Sequence, residues 1–101
     1  MAEQIHVLTH VDLIPPNTEA GLVAIERYVQ QLRADPEVID VQILQQLFRK
    51  NHIELAIVFT SQEAYETNLG APYTLAFREE LHPLIGAPFD DRLHVLIPSG
   101  S

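Results

Sequence analysis

FTSQEAYETNLGAPYTLAFREELHPLIGAPFDD, residues 59–91, decides the fold. Phe59 ends an apolar, β-rich run, and Ser61 caps a short helix through Leu69 with Glu63 in its favourable first turn. Gly70-Ala71-Pro72 breaks that helix. Pro72 starts the next one, because a proline in a first turn gives up a hydrogen bond the helix does not make there. Tyr73, Phe77, Leu81 and Leu84 then recur along one face, and Pro83 with Gly86-Ala87-Pro88 closes the segment. Arg92 to Pro98 reads as a last strand, followed by a loose Ser-Gly-Ser tail.

The chain before this stretch supplies the other elements. Gln4 to Asp12 alternates and is rich in β-formers, so it reads as a first strand that Pro15-Pro16 terminates. Asn17 or Thr18 caps a helix with Leu22, Ile25, Val29 and Leu32 on one face, and Asp35-Pro36 stops it. Val38 to Leu47 alternates again, and Arg49-Lys50-Asn51-His52 turns a hairpin into Ile53 to Thr60. The order is β-α-β-β-α-β with the second helical region split, a ferredoxin-like α+β arrangement. Right-handed crossovers give an antiparallel sheet of order 4-1-3-2 with the helices on one face.

Alternation sorts the strand residues. Ile5, Val7, Thr9, Ile39, Val41, Ile43, Ile53, Leu55, Ile57, Phe59, Leu93, Val95 and Ile97 fall on the helix side. His6, Leu8, His10, Gln42, Leu44, Gln46, Glu54, Ala56, Val58, His94 and Leu96 fall on the other. That second face is too apolar for open water and too polar for a monomer's core. A homodimer in which the open faces meet covers both, and a small domain gains stability by associating.

A chain of 101 residues reads as one domain, 1–101, and 47% apolar residues place it among globular proteins. There is no cysteine, which removes disulfides, thiolate metal sites and thiol nucleophiles. Six Lys and Arg against 14 Asp and Glu give a net charge of -8, which opposes nucleic-acid backbones and anionic membranes. No apolar run approaches a membrane span, and MAEQIHV lacks the pattern of a secretory signal, so the expected location is cytoplasmic.

Little of the usual chemistry is written in the residues. His6, His10 and His94 share a face, but a His-x3-His spacing on a strand separates the side chains by roughly 13 Å, too far for one ion. No metal site is expected. His52 reads as a turn residue and His82 as a helix-end residue, both solvated, and one of the five histidines stands as a candidate proton shuttle. Ser61 is a cap and Ser99 and Ser101 belong to the tail, so no serine triad can be assembled, and the four glycines form no phosphate loop. Asp90-Asp91 reads as a turn and cap, and Arg27 and Arg78 as solvated helix residues. What remains is a pocket: Tyr65, Asn68 and Tyr73 point from the broken helical segment toward the sheet near Phe59, with Phe77 beside them. Aromatic walls with a few polar groups suit a small aromatic ligand. The alternative is ordinary core packing with hydroxyls at the rim.

Taken from residue 4 to residue 98, the chain resembles the antibiotic biosynthesis monooxygenase superfamily of dimeric α/β barrels. ELAIVFTSQEAYETNLGAPYTLAFREEL, residues 54–81, carries the strand, aromatic, Ser cap and Glu-Ala of that pattern, and APYTLAFREELHPLIGAPFDDRLHVLI, residues 71–97, is similar to small quinol-monooxygenase-like members. The resemblance implies a cofactor-free monooxygenase of phenols or quinols, and together with the pocket read above it makes Asn68 and Tyr73 the expected catalytic residues and Phe59, Tyr65, Phe77 and His10 the expected lining of the ligand pocket. Asn68 and Tyr73 stand where many members have histidine, and Phe59 where tryptophan is common. Haem degradation, which needs the tryptophan and the helix histidine, is therefore not expected. The competing function is a non-catalytic dimer that binds a small apolar molecule or acts as a stress-responsive accessory.

Overall fold

A computed structural model describes residues 3–99. Met1, Ala2 and the last two residues of the expected loose tail, Gly100 and Ser101, lie outside the described residues. The elements are β1 (Ile5–Asp12), a 3-10 turn at Pro15–Asn17, α1 (Thr18–Arg33), β2 (Val38–Gln45), β3 (His52–Phe59), α2 (Gln62–Leu69), α3 (Pro72–Leu81), a 3-10 turn at His82–Leu84 and β4 (Asp90–His94). The four strands form one sheet of order β2-β3-β1-β4 with every pairing antiparallel, which is the expected 4-1-3-2 order read from the other edge.

The helix side of the sheet follows the alternation. Ile5, Val7, Thr9 and Val11 of β1 and Ile53, Leu55, Ile57 and Phe59 of β3 are buried against Ile25, Tyr28, Val29 and Leu32 of α1, Tyr65 of α2 and Phe77 and Leu81 of α3. Burying a side chain of this size stabilises by roughly 1.5–3 kcal/mol, so these central-strand residues carry the fold. The split of α2 from α3 also follows the sequence. Ser61 accepts from the backbone N–H of Ala64 at 3.0 Å, and Pro72 occupies the first turn of α3. In the first turn of α1, Gly21 has a packing reason: a Cβ there would stand 2.6 Å from Leu13 Cδ1.

Several expectations are corrected. The Asn17 side chain makes no cap bond, and Thr18 donates its hydroxyl to the Pro15 carbonyl at 2.7 Å instead, because the 3-10 turn places that acceptor beneath it. Ile39 is half exposed, because the register shifts between Val38 and Asp40 and the bulge turns Ile39 out of the core. The last strand is Asp90–His94 rather than 92–98, so Val95, Leu96 and Ile97 run on past the sheet and are exposed. Leu93 keeps its expected face, opposite Val7, but sits on an edge strand and is also exposed.

Candidate functional site

The site is built where α2 and α3 lean on the sheet. Phe59 and Tyr65 meet edge to face at 5.7 Å, and Tyr28 stacks on Phe77 at 4.0 Å with the planes 3° apart. Such pairs add about 0.5–1.5 kcal/mol beyond burial. Two sets of polar groups run through this aromatic packing.

The inner set centres on Asp91. Its carboxylate accepts from the Thr9 hydroxyl, the Tyr65 hydroxyl and the Arg78 guanidinium, each at 2.8 Å. The Thr9 contact follows from register, since Thr9 and Asp91 are paired residues on β1 and β4 and point to the same side. Arg78 also lies 4.7 Å over the Phe89 ring. Burial first, and then the neighbouring Asp91 carboxylate, push the Tyr65 hydroxyl up to about 12. Tyr65 is therefore a donor at neutral pH.

The outer set is directional. The Asp35 carboxylate can only accept, so the Tyr73 hydroxyl, 3.0 Å away, donates to it. The oxygen of Tyr73 then accepts from Asn68 Nδ2 at 2.9 Å, which turns Asn68 Oδ1 toward the Tyr28 hydroxyl at 3.4 Å. Tyr28 spends its proton on Asn68 and so accepts from Thr74 at 3.0 Å. Thr74, Tyr28, Asn68, Tyr73 and Asp35 thus form one string pointing outward. Burial is the first cause holding the Tyr73 hydroxyl well above the usual tyrosine range, with Asp35 reinforcing it, and burial likewise raises Tyr28.

Two spaces adjoin these groups. Between sheet and helices, Phe59, Tyr65, Asn68, Phe77, Arg78 and Asp91 help enclose about 10 Å³, the room of one water rather than of an aromatic ring. Outside, Asp35, Glu37, Ser61, Glu63, Thr67 and Asn68 line a groove of about 470 Å³. Asn68 faces both.

The same architecture recurs in solved structures. One named as a candidate antibiotic biosynthesis monooxygenase from Nitrosomonas europaea superposes with a TM-score of 0.88 at 16% identity, over 99% of this chain and 97% of that one. Another so named, from Caulobacter crescentus, gives 0.88 at 12% identity over 96% and 92%. Rv0793 from Mycobacterium tuberculosis gives 0.86 at 15% identity over 97% and 99%. The chain shares their fold. No family model and no curated protein matches the sequence.

On this shared fold, the structure brings together five of the six expected pocket residues: Phe59, Tyr65, Asn68, Tyr73 and Phe77. His10 is not among them. It belongs to the alternate face of β1, on the far side of the sheet, where it stands opposite Glu54 of β3 and Asp90 of β4. His52 is no solvated turn residue but the first residue of β3, with His10 3.2 Å away. Arg78 and Asp91 are corrected too, since they are partners within the site rather than a solvated helix residue and a turn cap. Arg27 is exposed as expected, paired with Glu80 at 2.7 Å. Asp35, Tyr28, Thr74 and Thr9 were not anticipated as site residues. Starting the last strand at Asp90 would have put Asp91 on the helix face with Thr9. Among the described residues, no group of three or more His, Cys, Asp or Glu could hold a metal ion, and no helix is long and apolar enough to cross a membrane.

Proposed function

We propose that the chain is a cofactor-independent monooxygenase of a small phenol or quinol, with residues 1–101 acting as one domain in a homodimer. The observation that carries this reading is the directional string from Thr74 to Asp35, with Asn68 at the floor of the groove. A groove of about 470 Å³ is of the size small ligands use. Asp35, on its wall, accepts the proton of the substrate hydroxyl, Tyr73 stays protonated as a donor, and Asn68 orients the substrate oxygens. The aryloxide anion then supplies the electrons to dioxygen. For a phenol with a free para position, the O–H and the para C–H break, one oxygen atom enters the ring as a carbonyl and the other leaves as water. The substrate is the only reductant. The fold shared with candidate antibiotic biosynthesis monooxygenases supports the same reaction class.

Phe59, Tyr65 and Phe77 enclose a space of about 10 Å³ and would wall a ring only if α2 drew away from the sheet. That closed cavity also favours the second reading, a non-catalytic dimer, because the groove beside it is lined by Asp35, Glu37 and Glu63 and the aromatic walls enclose no room for a ring. The homodimer rests on the open sheet face, where Leu8 and Leu44 are exposed and Ala56 and Val58 are half-buried among His6, His10 and Glu54. Oxygen uptake with a panel of quinols and naphthols separates the readings. Uptake above buffer that falls in Tyr73→Phe and Asn68→Ala supports the oxygenase. Equal rates for wild type and both variants overturn it.

A further inference from the structure

The open sheet face carries a line of four titratable side chains that the proposed chemistry does not use. Asp12 Oδ1 lies 3.6 Å from His52 Nε2, His52 Nδ1 lies 3.2 Å from His10 Nε2, and His10 Nδ1 lies 3.7 Å from Glu54 Oε2. Register explains the line: Asp12 pairs with His52 and His10 pairs with Glu54 across β1 and β3, so all four project to one side. The two imidazoles are also packed together, ring centres 5.3 Å apart.

Proton counting makes this line specific. The contact between the rings is of hydrogen-bond length and the two carboxylate contacts are at ion-pair distance, and each is favoured electrostatically by one proton on it and opposed by none or two. Two neutral imidazoles bring two protons. One contact then sets a nitrogen lone pair against a carboxylate or against the other ring. A third proton satisfies all three contacts. A fourth sets two N–H groups against each other between the rings. We propose that Asp12, His52, His10 and Glu54 form a single-proton site, and that occupation of this site favours association of the open faces of two copies. The association half rests on the homodimer reading given above.

The charges around the line set the direction. Without the extra proton the four groups carry two negative charges, and with it they carry one. Asp90 of β4, opposite His10, is paired with Arg92 at 3.0 Å, while β2 places Leu44, with Gln45 and Gln46 at its end, beside the line and carries its one charge, Asp40, further along the same face opposite Val58. Covering two uncompensated carboxylates per copy is more costly than covering one, because burial penalises unpaired charge. Proton uptake therefore accompanies association, and the dimer tightens as pH falls toward 6.

The test has two arms on the full-length protein. Sedimentation at pH 6 and at pH 8 reads the dimer dissociation constant. We expect about a tenfold tighter dimer at pH 6, and loss of that difference in His10→Gln and in His52→Gln. A dimer whose constant is the same at both pH values overturns the linkage while leaving the dimer reading intact. A chain that stays monomeric throughout overturns the dimer reading and with it the association half. Nitrogen-15 NMR of the imidazoles then decides the proton site by itself. The expected result is one proton taken up jointly by the two rings, with His10→Gln altering the titration of His52. Two rings that titrate independently overturn it.

Discussion

Tyr65 of α2 and Asp91 of β4 are joined by a hydrogen bond of 2.8 Å, 26 residues apart in sequence. The contact ties the helix that carries Asn68 to the edge strand, and Arg78 of α3 closes on the same carboxylate. One aspartate thus holds α2, α3, β1 and β4 in register.

Asp91→Asn is expected to destabilise by about 2 kcal/mol, since Thr9 donates to one carboxylate oxygen and Tyr65 and Arg78 to the other, the amide keeps only one acceptor oxygen, and the half-buried Arg78 loses its anion. Asp91→Ala, which also orphans both hydroxyls, costs more, about 3–4 kcal/mol. Urea unfolding reads both. Equal stability of Asp91→Ala and wild type would remove Asp91 from this role.

Alkaline stability follows from the tyrosines. Tyr65 holds its proton up to about 12, against about 10 in the unfolded chain, and Tyr73 is shifted the same way. Above pH 10 the folded state therefore binds more protons than the unfolded one. Their contribution is intact below pH 10 and is lost as pH rises toward 12. The urea midpoint should fall steadily across that interval, and Tyr65→Phe should flatten the fall. A wild-type midpoint constant from pH 9 to 11 contradicts the assignment.

Tyr73→Phe removes the donor to Asp35 and the acceptor of Asn68 at once. The expected loss is about 1–2 kcal/mol. On the oxygenase reading, uptake with a reactive quinol should also drop at least about tenfold. Asn68→Asp, which cannot donate to Tyr73 when ionised, should resemble it in activity.

Gly21→Ala pits helix propensity against packing. Alanine gains up to about 1 kcal/mol in a helix, but its Cβ must displace Leu13, which is buried at 1% exposure. Overpacking costs about 1–3 kcal/mol, so a net loss is expected. Leu13→Val should recover part of it, visible as coupling in a double-mutant cycle.

The central strands and both helix breaks were legible because their residues answer to local rules. Alternation fixed the inward set of β1 and β3, Ser61 and Pro72 act within one turn of themselves, and right-handed crossovers fixed the strand order. The bulge at Ile39 and the start of β4 depend on pairing with distant residues, which no local pattern reports. The site divides along the same line. Tyr65, Asn68, Tyr73, Phe59 and Phe77 lie within one stretch, so their grouping is written in the sequence itself. Asp35, Thr9 and Tyr28 join them only after folding, and Asp91, though it ends the same stretch, carries with Asp35 the local pattern of a turn or stop residue. His10, expected in the pocket, stands on the opposite face, where its own alternation along β1 already puts it.

The double exposure of Asn68, to the groove on one side and the cavity on the other, binds two properties that most proteins can alter separately. On the proposed ligand-binding reading, ligand preference and core integrity share one side chain. Any replacement that recuts the groove floor must also give Tyr28 and Tyr73 new partners. Variation of specificity on this scaffold should therefore proceed by concerted changes at residues 28, 68 and 73, and single changes at 68 should be rare among functional descendants in a mutational selection.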